Sequence, residues 1–230
     1  MPRRAARLAC LFAPVLCALS FASCSDDKDP LDTATTAGTA DATAATSPTT
    51  GDATTTADPT ATTTGGADDP AWMTPYCYPV SDKKWLAAWI EREQQVLQLV
   101  NQARAVGADC GTEGKFGPAA PLTIEPHLHC AARAHAMDMA ERDFFDHVNP
   151  DGEDPFARME KAGYTDWMAA AENIAAGSDD PQQTVLGWLD SDGHCANMLD
   201  PKYKDFGVGF YEGAGQYNFY WTQTFGAPIQ

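Results

Sequence analysis

The clearest pattern along the chain begins at Trp85. Trp85, Trp89, Val96, Val100 and Ala103 fall at steps of three, four or seven residues, and Gly107 follows them. That spacing is one face of an amphipathic helix, which the glycine ends. A second helix is predicted from Pro126, a favoured first-turn residue, to Arg142, with Leu128, Ala132, His135 and Met139 as its apolar stripe. Asp180 and Pro181 read as N-cap and first residue of a third helix carrying Val185, Trp188 and Leu189. A short fourth helix follows Asp192, around 194–199. The period then changes to two. Phe206, Val208 and Phe210 alternate with glycines, Gly213-Ala214-Gly215-Gln216 turns the chain, and 217–224 returns as a second strand. This order predicts an α+β fold, helices packed on a mainly antiparallel sheet, without internal repeats.

Residues 1–24 do not belong to that fold. Arg3, Arg4 and Arg7 precede the stretch 8–21, which is apolar apart from Ser20. This is a secretory signal peptide. It closes on Phe21-Ala22-Ser23-Cys24, which resembles a bacterial lipobox, although the leucine usual at the position of Phe21 is missing. Such a box is cut before the cysteine and acylated on it. A multiply acylated Cys24 would anchor the chain to a membrane, because two or more acyl chains hold where one binds marginally. No other segment is apolar enough to span a bilayer. Residues 25–70 are Thr, Ala, Asp, Gly and Pro in the main, with Leu31 the one large apolar side chain. Such a segment cannot offset its ordering entropy by burial and reads as a disordered tether. Residues 71–230 are enough for one domain with a real core.

Charge and cysteine content narrow the class. The formal net charge is −17, and loss of the three signal-peptide arginines leaves 12 basic against 32 acidic residues. Nucleic acid is thereby disfavoured as a partner, since phosphate binding needs clustered Lys and Arg. Cys10 and Cys17 leave with the signal. Cys77, Cys110, Cys130 and Cys195 remain beyond Cys24, an even set that predicts two disulfides in an exported domain. Of the three connectivities, Cys110–Cys130 with Cys77–Cys195 is expected, the first bridge stapling a glycine-rich loop to the following helix. A four-cysteine zinc site is disfavoured because the chain has no C-x-x-C pair. The expected location is the cell envelope or outer surface, lipid-anchored or otherwise secreted.

Candidate chemistry centres on the stretch FFDHVNPDG, 144–152. Taking Gly152 as the glycine of an EF-hand loop puts His147 at its first position and Arg158 at its last. Calcium needs acids at both, which excludes that reading. Phe144 and Phe145 are expected to anchor the end of the second helix in the core, and Asn149 to turn the chain. No G-x-S-x-G or H-E-x-x-H motif exists. His127 and His129, two apart on a helix, point to different faces. His135 lies on the buried stripe and reads as a core histidine with one hydrogen bond. Glu172, inside the run Ala170-Ala171-Glu172-Asn173-Ile174-Ala175, should be buried and paired, or functional.

An ordered set of pieces then resembles the CAP superfamily, also called SCP-like, in its bacterial secreted branch. The pieces are Leu99-Val100-Asn101-Gln102-Ala103-Arg104, the helix stretch 128–139, the stretch 144–152, Glu172-Asn173-Ile174-Ala175-Ala176-Gly177, Trp188 with Gly193-His194-Cys195-Ala196-Asn197-Met198, and Phe206-Gly207-Val208-Gly209. The resemblance implies a three-layer α-β-α sandwich with a cleft of two histidines and one or two acids. In some members these hold a divalent metal, often zinc. It places His147 and His194 as metal ligands and Glu172 as a third cleft group and candidate general base. Ser191 and Asn173 complete the cleft, Asn173 as a structural partner of the loops. Departures are visible. Many members have Trp-x-x-Glu, whereas Trp188 is followed at that spacing by Ser191, so Asp190 or Asp192 would have to substitute. Ala171 stands where glycine is usual, and Cys195 after His194 reads as a disulfide pinning that histidine. The function implied is an extracytoplasmic module binding a divalent metal and a lipid, peptide or envelope glycan. A metal-dependent hydrolase and a purely structural polar cluster are the alternatives.

Overall fold

The computed structural model describes residues 70–229. The signal peptide, Cys24 and the tether as far as residue 69 lie outside the described residues. The chain enters through a short 3-10 turn, Tyr78–Val80, and α1, Ala87–Val106, which Gly107 ends as expected. A two-stranded ribbon follows, β1 Ala108–Asp109 and β2 Lys115–Phe116, with a 3-10 turn Gly111–Glu113 between them. Then come β3 Thr123–Ile124, α2 Pro126–Glu141 and α3 Pro155–Ala162. The remainder is β4 Trp167–Ala176, α4 Pro181–Asp190, α5 Asp192–Leu199, β5 Asp205–Glu212 and β6 Phe219–Pro228.

Four strands form one sheet in the order β3-β5-β6-β4, with β3–β5 parallel and the other two pairs antiparallel. The fold is the expected α+β sandwich. Alternation along the strands assigns its faces. On β5, a Cβ on Gly207 or Gly209 would overlap the backbone of α2 at Leu128 or near Arg133, so the glycines let that helix lie flat on the sheet. Thr224 of β6 shares this face and donates its hydroxyl to Leu128 O at 3.0 Å. The opposite face carries Phe206, Phe210, Trp221 and Phe225, all fully buried. Here α1, α4 and α5 pack, with Trp89 edge-on to Phe210.

The disulfides correct the sequence expectation. They join Cys77 to Cys130 and Cys110 to Cys195, with Cα–Cα distances of 5.4 and 5.5 Å. Cys77 precedes a turn packed on α2, and Cys110 precedes a turn packed on α5. Each bridge therefore stays on one face of the sheet. The expected pairing would have joined α2 to the turn on α5, across the sheet. Proximity in sequence misled because β3 carries the chain from one face to the other.

Two elements exceed the sequence reading. Asp154 caps α3, accepting from Ala157 N at 2.8 Å, Pro155 opens it, and Gly163 closes it at φ +110. The alanine-rich run around Glu172 is β4, an edge strand paired over its length to β6. Phe145 is 42% exposed rather than a core anchor, while Phe144 does pack against the cluster of Met139, Ile174 and Tyr220. The short loop after α2 can turn only one of two adjacent rings inward.

Candidate functional site

Glu172 and Asn173 are neighbours on β4 and therefore point to opposite faces of the sheet. Glu172 pairs across to Thr224 on the α2 face, and Asn173 to Gln223 on the other. Because β4 is the edge strand, groups from both faces meet around it. That is how the loop after α2 and the helix α5 arrive at one place.

On the α2 face, the side chain of Glu172 is 2% exposed. Arg158 of α3, equally buried, spans it, with Nη2 2.9 and 3.0 Å from the two carboxylate oxygens. His147 Nδ1 donates to Oε1 at 2.8 Å, while 44% of its ring is exposed. Nε2 is thus left on the outer side. The loop is held from within. His135 of α2, completely buried, bonds Asp146 O through Nε2 at 3.0 Å and stands 3.8 Å from Glu172 Oε1. Asn149 Oδ1 accepts from Asp151 N at 3.1 Å and Glu153 N at 2.9 Å, an Asx turn that fixes the bend after His147.

On the other face, Asn173 is fully buried and ties β4 to α5. Its Nδ2 donates to His194 O at 3.1 Å and Gln223 Oε1 at 3.0 Å, and its Oδ1 accepts from Asn197 at 2.9 Å. The Cys110–Cys195 bridge holds α5 from behind. Arg104 of α1 grips its end, with Nη1 2.7 Å from Met198 O and 3.1 Å from Asp200 O. His194 lines a cleft of about 510 Å³ with Phe145, Gln183, Trp188, Ser191 and Tyr217. Phe145 and Tyr217 meet edge to face at 5.6 Å. Of the neighbouring aspartates, Asp190 is exposed, and Asp192 Oδ2 accepts from Thr112 N and Oγ1 at 2.8 and 2.7 Å.

His194, which lines the cleft, and His147, on the loop after α2, are tuned in opposite directions. The hydrogen bond to Glu172 raises the pKa of His147 against the effects of burial and Arg158. Burial and the nearby charge of His147 lower that of His194. Among the described residues no group of three or more His, Cys, Asp or Glu is arranged to hold a metal ion. Both Glu172 oxygens already accept from Arg158, and one also from His147. Two imidazoles alone leave most of a zinc ion's four positions unfilled, so the residues present do not make a closed structural zinc site.

The cysteine-rich secretory protein family, CAP, matches residues 97–225. The chain belongs to the CAP family. Among curated relatives, YkwD of Bacillus subtilis (strain 168) is 38% identical over 105 residues, 46% of this chain and 39% of that protein. The membrane protein YlbC of the same organism is 35% identical over 130 residues, 56% of this chain and 34% of its own length. A solved extracellular protein containing an SCP domain, from Bacillus anthracis str. Ames, superimposes with a TM-score of 0.52 at 26% identity, covering 64% of this chain and 44% of that one. The chain thus spans well under half the length of each. The two disulfides and the extracellular relative mark the CAP domain as an exported one.

Sequence reasoning missed Arg158 and the aromatic wall of this CAP cleft. The signal for Arg158 was present: Asp154-Pro155 and Gly163 bracket a short helix, on whose buried side Arg158 lies with Met159 and Ala162. The same arginine occupies the register position that excludes calcium.

Proposed function

We propose that the protein is a membrane-tethered, extracytoplasmic binding module. Its ligand, a lipid, peptide or envelope glycan, enters the cleft at His147 and His194. Those two imidazoles hold a divalent cation such as zinc weakly. The observation that favours binding over hydrolysis is the state of Glu172, whose oxygens both accept from Arg158 and one also from His147. A general base needs a lone pair within reach of the water it activates. Glu172 instead fixes the His147 ring with Nδ1 protonated and Nε2 outward, the outer carboxylate arrangement that orients metal-ligating imidazoles. A bound cation would polarise a ligand oxygen. The chain's own contribution is the rigid pair of imidazoles and the wall of Phe145, Tyr217 and Trp188. An acylated Cys24 and the tether would hold the domain beyond a membrane, in keeping with the membrane description of YlbC and the extracellular description of the Bacillus anthracis protein.

Zinc calorimetry on the mature protein tests this reading. Saturable heat is expected, abolished by His147→Ala and His194→Ala and weakened about 10–100-fold by Glu172→Ala. An absence of heat in the parent sinks the metal part. Peptide or glycan hydrolysis that Glu172→Ala removes would replace the binding module with a hydrolase. Mass spectrometry of the mature N-terminus checks acylation of Cys24.

A further inference from the structure

A second cavity, of about 320 Å³, lies beneath the entering segment 70–83, where that segment crosses the start of α2. Trp72, Met73, Val80 and Ile124 line it, together with the Cys77–Cys130 bridge. Its volume is at the lower end of the range for ligand pockets, and its walls are chiefly apolar.

Its polar lining is His129 and Arg133 on α2, with Ser81, Asp82 and Lys83 on the entering segment. Arg133 is fully engaged. Its guanidinium meets both oxygens of Glu93, at 2.6 to 3.1 Å, and also Val80 O and Asp82. His129 is different. Its Nδ1 accepts from Val208 N at 3.4 Å, which puts the ring proton on Nε2. That Nε2 lies 3.6 Å from Glu93 Oε2, beyond hydrogen-bond reach. Burial and Arg133 lower the pKa of His129 to about 3, so the ring stays neutral. About a fifth of the side chain, 19%, remains accessible.

We propose that this cavity binds a small uncharged, largely apolar molecule whose one hydrogen-bond acceptor takes the proton of His129 Nε2. A carboxylate at His129 Nε2 would face Glu93, whose Oε2 lies 3.6 Å from that nitrogen, whereas Lys83 and Asp82 offset each other on the entering segment. An ammonium would meet Arg133 and a Glu93 whose oxygens are already taken. The site is separate from the His147–His194 cleft and does not depend on what that cleft binds.

Calorimetry on the mature protein tests the assignment with 1-octanol, octanoate and octylamine as probes. Saturable binding of 1-octanol is expected, at least tenfold tighter than either charged probe. Ile124→Trp should fill the cavity and remove binding with an unchanged thermal midpoint, since Ile124 is 40% exposed and its backbone need not move. Met73→Trp should do the same from the opposite wall, and decides the matter if the first variant folds poorly. His129→Phe keeps the bulk, loses the donor, and should weaken binding about two- to tenfold. Absence of saturable binding, preference for a charged probe, or binding indifferent to both filling variants would overturn the proposal. So would loss of 1-octanol binding in His194→Ala, which would place the alcohol in the cleft.

Discussion

Two buried glutamate–arginine pairs border α2, and they face the solvent in opposite ways. Glu93 of α1 receives Arg133 on both oxygens, Trp85 Nε1 at 2.8 Å and Phe210 N at 3.1 Å. Every strong donor around it comes from the core. Burial raises the Glu93 pKa, and the Arg133 guanidinium opposes that rise. Glu172 receives Arg158 on both oxygens in the same manner, but its remaining partner is a half-exposed imidazole. The Glu93 carboxylate closes on core groups and joins α1, α2 and β5, while Arg133 reaches the exposed Asp82 on its far side. The Glu172 carboxylate passes its charge to His147 at the rim of a cleft. Burial of a carboxylate is common to both, so burial does not mark the functional one. The mark is a partner of the carboxylate itself that reaches water.

The largest effect expected from this contrast is on stability. Glu93→Ala breaks the buried pair and leaves Arg133 only Asp82 and Val80 O on its Nη1 side, with nothing for Nε and Nη2, which costs about 3–5 kcal/mol. Glu172→Ala should cost less, about 1–3 kcal/mol, because water from the cleft side can reach the vacated position and Arg158 Nη1 keeps its 2.8 Å bond to Glu153 O. Urea denaturation of both variants at neutral pH makes the comparison. Equal losses would erase the distinction between a closed centre and an open one.

That contrast also explains what was legible beforehand. Glu172 announced itself as a lone acid in an apolar run, and Asp180-Pro181 announced α4 through capping chemistry that acts within a few residues. Glu93 gave no such sign, because it sits in the polar helix stretch Glu91-Arg92-Glu93 and is buried only by the arrival of α2 and β5. β4 was obscured because alanines carry no period-two contrast, its polar members Glu172 and Asn173 being buried on different faces. The disulfide pairing depended on which side of the sheet each turn occupies, a property of topology that spacing does not encode. Resemblance supplied His147 and His194 as a pair. The geometry adds that Glu172, expected as a cleft group and candidate general base, has both oxygens occupied by Arg158 and one also by His147.

Each pair also keeps a buried histidine beside it, and these predict acid sensitivity. Burial, aided by Arg133, lowers His129 to about 3, and burial, aided by Arg158, lowers His135 to about 4. In the unfolded chain both titrate near 6.5. A base whose folded pKa is depressed contributes full stability above its unfolded value and loses it as pH falls towards the folded one. Stability should therefore decline from about pH 6.5 downwards, with His135 alone accounting for on the order of 3 kcal/mol by pH 4. His135→Leu should lower stability at pH 7, through the lost bond to Asp146 O, yet show a shallower decline in thermal midpoint between pH 6.5 and 4. Superimposable slopes would mean that His135 is not held neutral at the Glu172 centre.

The smallest effect is the most specific to the open centre. The hydrogen bond to Glu172 raises the pKa of His147, and the charge on His147 in turn lowers that of His194. Glu172→Gln keeps a hydrogen-bonding oxygen but removes the charge. The His147 pKa should then fall, and that of His194 should rise slightly as its neighbour is protonated less often. The stability linkage runs opposite to that of His129 and His135. A raised folded pKa contributes below the unfolded value near 6.5 and is lost as pH rises through the folded one. Since His147 is nearly half exposed, that contribution is screened, and the titration itself is the proper readout. Imidazole proton NMR of chelator-treated parent and variant measures both shifts. A His147 titration unmoved by Glu172→Gln would show that the carboxylate does not set the charge at the rim, and the Glu172 centre would then be as self-contained as the Glu93 one.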